Sequence, residues 1–342
     1  MTPVRAPKTR AAPGSPPPLD PQLRERVAAA LAMSWPLRLD RIAQARQPGP
    51  GEVLPTEESL SAGGRFVVTR AAVKADDHDI EVVIARPSRH TGILPVVFHT
   101  HGGGMIAGDA LSGLDEFLEY ADEIGLLVIS VDYRLAPETQ FPGPLEDCYA
   151  ALVWTAQQVS RWGGDPTRIV VAGTSAGGGL AAGLALLARD RLGPALIGQV
   201  LLCPMIDDRN DSASGHQMAA QDTWNRQWNG VAWQALLGPL TGGPDVSPYA
   251  APARMPDLAG LPPAYLDVGS VETFRDEDIA YAMGIWAAGG PAELHVWGGA
   301  VHAFDHLCPE SLLAREARAT RSAWLRRLLH HDALDPGWWR RL

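Results

Sequence analysis

Cysteine is scarce in this 342-residue sequence: Cys148, Cys203 and Cys308 are an odd number at wide, unrelated spacings. Neither a disulfide framework nor a CxxC-type metal site is written there, and a reducing compartment fits best. Long apolar runs are also missing. The longest nearly unbroken one, residues 179–188 (GLAAGLALLA), falls well short of the roughly 20 residues that cross a bilayer, so no stable membrane insertion is expected. Positive charge is not in excess either. With 29 Lys and Arg against 39 Asp and Glu the formal charge is −10, which speaks against a nucleic-acid partner. Charged residues make up only 20% of the chain, unlike a disordered polyelectrolyte or a coiled coil. What is present instead is a 46% hydrophobic share with 35 Gly and 29 Pro, a globular chain with many tight turns and enough length for a substantial core.

The first 20 residues, MTPVRAPKTRAAPGSPPPLD, are basic and Pro/Ala-rich without an apolar h-region. They read as a disordered tail rather than an export signal, and a cytoplasmic location is expected. No repeat of fixed period is visible. Leu23, Val27, Leu31 and Trp35 recur at four-residue steps and predict a helix over 21–35. After the QPGPGEVLP connection, short strands are predicted at 65–69, 80–85, 94–99 and 126–131, the last (LLVISV) apolar enough to be buried on both faces. Helices at 145–162 and 176–191 then alternate with strands at 168–172 and 199–203, which implies a parallel sheet with helices on both faces. The rhythm stops between 205 and 247 and resumes with strands at 264–268 and 294–297, a helix at 275–288 and a final helix at about 311–331. The closing WWRRL reads as chain end rather than a surface anchor. This divides the chain into a tail (1–20), an N-terminal accessory piece (21–60), a core (61–204), an insertion (205–247) and the rest of the core (248–342).

The strand RIVVA runs directly into Gly173-Thr174-Ser175-Ala176-Gly177, and a helix starts at once. Small residues on both sides of a serine permit a sharp strand-to-helix turn that lifts the hydroxyl into the open, while the helix N-terminus offers unpaired N–H groups to a developing oxyanion. A Gly-rich turn with an incidental serine is the plainer alternative. Upstream, His101-Gly102-Gly103-Gly104 follows the strand ending near His99. Three glycines let the backbone approach a ligand and point its amides inward, so the amides of Gly103, Gly104 and Ala176 are the candidate oxyanion donors; a merely flexible loop is the alternative.

HGGG at 101–104, the tract VDYRLAPE at 131–138, GGDP at 163–166 and GTSAGGG at 173–179 together resemble the bacterial hormone-sensitive-lipase (family IV) esterases of the α/β-hydrolase superfamily, over about residues 65–310. The resemblance implies an α/β-hydrolase fold, a mostly parallel eight-stranded sheet flanked by helices, with a helical cap formed by the two accessory pieces. It implies a serine carboxylesterase acting on short- to medium-chain acyl esters, with a small-molecule ester as partner, no cofactor and no metal; a homodimer is left open. It places the histidine of a catalytic triad at His302 in WGGAVHAF, where the family more often has glycine than Ala303 as the next residue. His295 and His306 are the rivals and read as structural or surface residues. The family segment DPLRDE aligns with Glu272-Thr273-Phe274-Arg275-Asp276-Glu277, which puts Glu272 where the family has aspartate. Asp276 is the main competitor and Asp267 a third candidate. Asp132, Tyr133, Arg134 and Glu138 are expected to hold the loop beside the site, and Asp147 and Asp165 to organise a helix or turn.

Trp224, Trp228 and Trp233 fall four to five residues apart in the insertion and could line a substrate pocket or simply hold the cap together. His99-Thr100-His101 at a strand end could offer two rings to one ion, but no carboxylate or HxxEH partner follows at ligand spacing. An acyltransferase or an amide or lactone hydrolase would use the same triad. A non-catalytic small-molecule receptor, as in the plant gibberellin receptors that resemble this family, would lack the histidine, whereas this chain retains both Ser175 and His302.

Overall fold

A computed structural model describes residues 14–34, 36–47, 54–75, 77–219 and 222–330. The apolar runs form β1 (Phe66–Lys74), β2 (Asp79–Pro87), β3 (Leu94–Thr100), β4 (Leu127–Asp132), β5 (Gly164–Thr174), β6 (Leu196–Leu202), β7 (Ala264–Gly269) and β8 (Ala292–Trp297). They make one eight-stranded sheet in the order β1-β2-β4-β3-β5-β6-β7-β8. β2 runs antiparallel to β1 and β4, and every other neighbouring pair is parallel.

The period-two geometry of a strand sends Val96 and Phe98 of β3 to one face and Val97 to the other; Ile169 and Val171 of β5 likewise part from Val170 and Ala172. Both faces are covered, so β3 is buried at all its positions and reads as an unbroken apolar run. Helices Gly143–Gln158, Ala176–Asp190 and Arg275–Ala287 pack on the first face, and Leu114–Ile124 with Leu312–His330 on the second. The helix Leu114–Ile124 is an addition to the sequence reading. Chain order reverses between β3 and β5: β4 lies on one side of β3 and β5 on the other. The loops after these two strands therefore diverge and leave a crevice at the carboxyl edge of the sheet, where ligands of such sheets bind.

The two accessory pieces lie over that edge. Leu23 and Val27, on and beside the helix Arg24–Met33, share a cluster with Met218 from the insertion and with Val271, Ala300, Val301 and Phe304 from the loops after β7 and β8. Leu37 and Ile42 join the main core. Arg46 donates to the carbonyls of Ile106 (2.7 Å) and Ala136 (2.9 Å) and pairs with Glu138 at 2.6 Å, so it ties the N-terminal piece to the loops after β3 and β4. The short helix Glu57–Ser61 sits apart, with Leu60 packed against Phe66 of β1 in the other face's core. The insertion forms helices Ala213–Gln217 and Arg226–Leu237, N-capped by the Ser212 and Asn225 side chains.

Of the stretch 1–20, residues 1–13 lie outside the described residues, while Asp20 donates its N–H to the Gly299 carbonyl at 3.0 Å and Leu19 packs on the cluster around Val301. Trp35 and the WWRRL end also lie outside. Among the described residues no helix is long and apolar enough to cross a membrane.

Candidate active site

Ser175 follows β5 and starts the helix Ala176–Asp190, held at φ 60°, ψ −123°, a conformation that a serine adopts only when its surroundings enforce it. They do. The Ser175 N–H donates to Leu202 O at 2.8 Å, and its carbonyl accepts from Gly179 (3.0 Å) and Met205 (2.9 Å). Gly177 must be glycine because a Cβ there would run into the carbonyls of Thr100 and His101. This is the sharp strand-to-helix turn expected from GTSAG.

The loop after β3 lies against it. A Cβ on Gly102 would come within 3.7 Å of the Ser175 Cβ. Gly104 is left-handed (φ 64°), and any side chain there would collide with the Trp224 indole. Among the described residues none accepts a hydrogen bond from the N–H groups of Gly103, Gly104 or Ala176, which leaves all three available to a ligand. The loop is fixed from below: the Tyr133 hydroxyl donates to His101 O at 2.8 Å and its ring stacks on the His101 ring at 4.0 Å. Asp132 accepts from the Ala110 N–H (3.2 Å), and Asp147 takes the Arg134 guanidinium at 2.8 Å. Asp165 accepts from Thr167 and Arg168 in the irregular first part of β5.

His302, on the loop after β8, sets its Nε2 3.0 Å from the Ser175 Oγ and its Nδ1 2.6 Å from a Glu272 carboxylate oxygen. The other Glu272 oxygen accepts the Gly269 N–H at 2.9 Å, so the carboxylate cannot swing away. All three residues are buried, and Glu272 completely. Burial alone would lower the His302 pKa; Glu272, Asp222 and Asp305 together outweigh it, Glu272 most, and the net shift is upward. Phe274 packs edge-on to the imidazole (centroids 5.2 Å apart) and Trp224 lies at 6.3 Å. Ala303 sits at φ 51°, a left-handed position, which explains why glycine is the commoner residue there.

The rival carboxylates are engaged elsewhere. Asp276 accepts the Ser214 N–H (2.8 Å) and pairs with Arg275, anchoring the insertion. Asp267 lies beside Arg321 at 2.7 Å. His295 contacts Glu293 (2.9 Å) and His306 contacts Glu116 (3.1 Å). His99 and His101 do not converge. His99 meets the Ser130 hydroxyl and His101 its neighbouring carbonyl, both are buried, and burial first lowers their pKa values to about 3 and about 4. Neither ring belongs to a three-ligand cluster among the described residues.

Of the three insertion tryptophans, Trp224 reaches Gly104 and His302 and meets Trp228 edge-on at 5.9 Å. Trp233, on the helix Arg226–Leu237, is fully buried in the main core, while the neighbouring Ala232 faces Gly104 beside Trp224. The structure also brings in residues with no sequence signal, Asp222 and Cys203. Asp222 comes from the patternless insertion, and the Cys203 thiol lies within reach of Glu272 and His302, where burial and then the Glu272 charge push its pKa well up.

A family model described as alpha/beta hydrolase fold matches residues 97–306. The chain is 36% identical over 262 residues to the carboxylesterase NlhH of Mycobacterium tuberculosis, covering 74% of this chain and 79% of that protein. It is 32% identical to an arylesterase of Saccharolobus solfataricus, over 68% of this chain and 75% of that one. Among solved structures it is similar to a bacterial heroin esterase, with a TM-score of 0.80 at 35% identity, covering 92% of this chain and 98% of the other.

Proposed function

Because this chain belongs to the alpha/beta hydrolase fold family, we propose that Ser175, His302 and Glu272 act as nucleophile, base and orienting acid in the hydrolysis of carboxylic esters. The chain is a serine carboxylesterase, and the observation that carries the residue assignment is the unbroken buried chain Ser175–His302–Glu272, with contacts of 3.0 and 2.6 Å.

A serine hydroxyl is a weak nucleophile at neutral pH. His302 takes its proton as Oγ attacks the ester carbonyl, and the Gly103, Gly104 and Ala176 amides hold the oxyanion. His302 gives the proton to the leaving alcohol, then activates water to hydrolyse the acyl-enzyme. Glu272 keeps the ring's tautomer and orientation throughout. Glutamate has one methylene more than aspartate, and the Gly269 N–H supports the far oxygen of that longer side chain. The same residues would serve acyl transfer to another alcohol or opening of a lactone, and water is the acceptor in the reading preferred here. A non-catalytic receptor is disfavoured by the intact Ser175–His302 contact. Three buried free thiols fit a reducing, cytoplasmic location. A homodimer is compatible with the reading, since β8 pairs only with β7 among the described residues and carries the exposed Val296.

The purified protein is expected to hydrolyse p-nitrophenyl acetate and butyrate; intact folding with no hydrolysis at any acyl length would overturn the proposal. The acid is decided by two variants. Glu272→Gln is expected to lower kcat about 10³–10⁴-fold while Asp276→Asn stays within about tenfold of the parent, and the reverse ranking would transfer the role to Asp276.

Trp224 sets the acyl length in this reading. Its indole fills the space over Gly104 beside His302, and the nearby cavity lined by Met105, Phe141, Leu145, Leu180, Leu236 and Tyr249 holds only about 10 Å³. The wild type should therefore favour acetate and butyrate over octanoate and palmitate. Trp224→Ala should move the kcat/KM optimum to longer chains by at least one step of that series; an unmoved optimum would remove Trp224 from the acyl site.

A further inference from the structure

We propose that Asp222, in the insertion over the sheet edge, is a positioning residue that locks the Glu272 loop to the His302 loop. The proposal rests on the Ser175–His302–Glu272 reading above. Asp222 is 51 residues before Thr273 and 80 before His302, yet its carboxylate lies between them, 1% exposed. One oxygen accepts the Thr273 N–H at 3.0 Å, with the Thr273 hydroxyl at 3.3 Å; the other accepts the His302 N–H at 3.4 Å. The next two residues complete the lacing. The Thr223 hydroxyl donates to His302 O at 3.0 Å, and Trp224 O accepts the Thr273 hydroxyl at 2.8 Å while its ring lies over Gly104. Three consecutive residues therefore touch the acid loop, the histidine loop and the glycine loop.

Glu272 and His302 sit on separate loops after β7 and β8, and their 2.6 Å contact needs those loops held in register. Asp222 bridges the residue immediately after Glu272 to the backbone of His302 itself. A carboxylate can accept from both amides at once because each oxygen faces one donor; an amide side chain can serve only one of them. A displacement of about 1 Å at the reacting groups can cost on the order of 10²-fold in rate.

Asp222 also adds a second negative charge near the imidazole. His302 faces Glu272 at Nδ1, Ser175 at Nε2, Asp222 at its backbone, Asp305 from the following turn and Cys203 from the end of β6. Burial, then the Glu272 charge, raises the Asp222 pKa, while the His302 charge and the Thr273 and His302 amides pull it back. Removing the Asp222 charge disfavours the imidazolium. Because the base must be neutral to act, the acid limb of the rate profile should then move to lower pH.

The test compares wild type, Asp222→Asn and Asp222→Ala on p-nitrophenyl butyrate from pH 5 to 9, with the thermal unfolding midpoint of each. Asp222→Ala should lower kcat about tenfold or more with KM within about twofold of wild type. Asp222→Asn should recover part of that loss and shift the acid limb of kcat/KM downward. If Asp222→Ala fails to fold, the Asn variant carries the test by its acid limb alone. An unchanged kcat and an unmoved acid limb would overturn the proposal, as would a lowered unfolding midpoint with neither kinetic change. Inactivity of the wild type, or full activity of Ser175→Ala, would instead strike the underlying triad reading.

Discussion

Ser175→Ala is expected to lower kcat on p-nitrophenyl butyrate by about 10⁴-fold or more while the protein folds as before. The loss is large because one hydroxyl carries the covalent step. Without Oγ, His302 has no proton to take, no acyl-enzyme forms, and only the oxyanion donors remain to assist direct attack by water. The folding cost is small because the Ser175 backbone, held by Leu202, Gly179 and Met205, contributes the turn, and among the described residues the side chain's hydrogen-bond partner is His302. Alanine meets the same backbone strain at φ 60° that serine already does. A variant with more than a tenth of wild-type kcat would mean that Ser175 is not the nucleophile.

The second large effect is on stability. Arg321, 2% exposed on the helix Leu312–His330, reaches Asp267 within β7 (2.7 Å), Glu116 on the helix Leu114–Ile124 (2.5 Å) and Asp305 just after His302. Glu116 also accepts the Tyr120 hydroxyl at 2.6 Å and lies 3.1 Å from His306. Arg321→Met removes the guanidinium and leaves three buried carboxylates facing one another. Breaking a buried ion network from one side costs about 3–5 kcal/mol. For a domain of this size the thermal midpoint should fall by about 5–8 °C.

The pH dependence of that loss has a definite sign. Burial alone would raise the Glu116 pKa; Arg321, together with His306 and the Tyr120 hydroxyl, outweighs it, so in the wild type the carboxyl is held below the ordinary range. Its stabilising contribution is complete above its unfolded value and is lost as the pH falls through the depressed folded value. In Arg321→Met the Glu116 carboxyl loses its strongest lowering partner, and Asp267, which burial already raises in the wild type, loses the same cation, so both take up protons more readily than in the wild type and the deficit should shrink on acidification from pH 8 to pH 5. A midpoint within 1–2 °C of wild type, or a deficit that widens on acidification, would refute the role of this network. Since Asp267 precedes the Glu272 loop and Asp305 follows His302, a lowered kcat is also expected.

Most of the sheet could be read directly from the chain because its strands are buried on both faces. LLVISV admits few alternatives when both faces are covered, and RIVVA running into GTSAGGG fixes the turn, the serine and the helix together. β5 begins earlier than expected, at Gly164, because Leu94 pairs with Gly164 before the bulge that shifts the register to Val96 and Ile169. β1 runs on to Lys74 as an edge strand whose partly exposed residues dilute the apolar pattern. The helix Leu114–Ile124 escapes for a different reason. Its acidic residues interrupt the stripe Leu114, Phe117, Leu118, Ala121, and one of them, Glu116, is buried against Arg321, a long-range pairing that composition does not reveal. The bracketing Gly113 and Gly125, both left-handed, are the signal that marks its two ends.

The site divides in the same way. Local motifs mark Ser175 and the glycine loop, and resemblance supplies His302 and Glu272. Asp222 has no such mark, since it sits in an irregular segment and its partners are the backbone amides of distant loops. Spacing alone also could not separate Trp224 from Trp233, because four-to-five-residue steps cannot say which ring meets the crevice and which is buried in the core.

Covalent trapping tests the nucleophile directly. Incubated with a p-nitrophenyl alkylphosphonate and digested, the wild-type enzyme should show a single added phosphonyl mass on the peptide containing Ser175, with loss of ester hydrolysis in proportion to labelling. Labelling at another residue, or full inhibition with Ser175 unmodified, would contradict the assignment of Ser175 as the nucleophile.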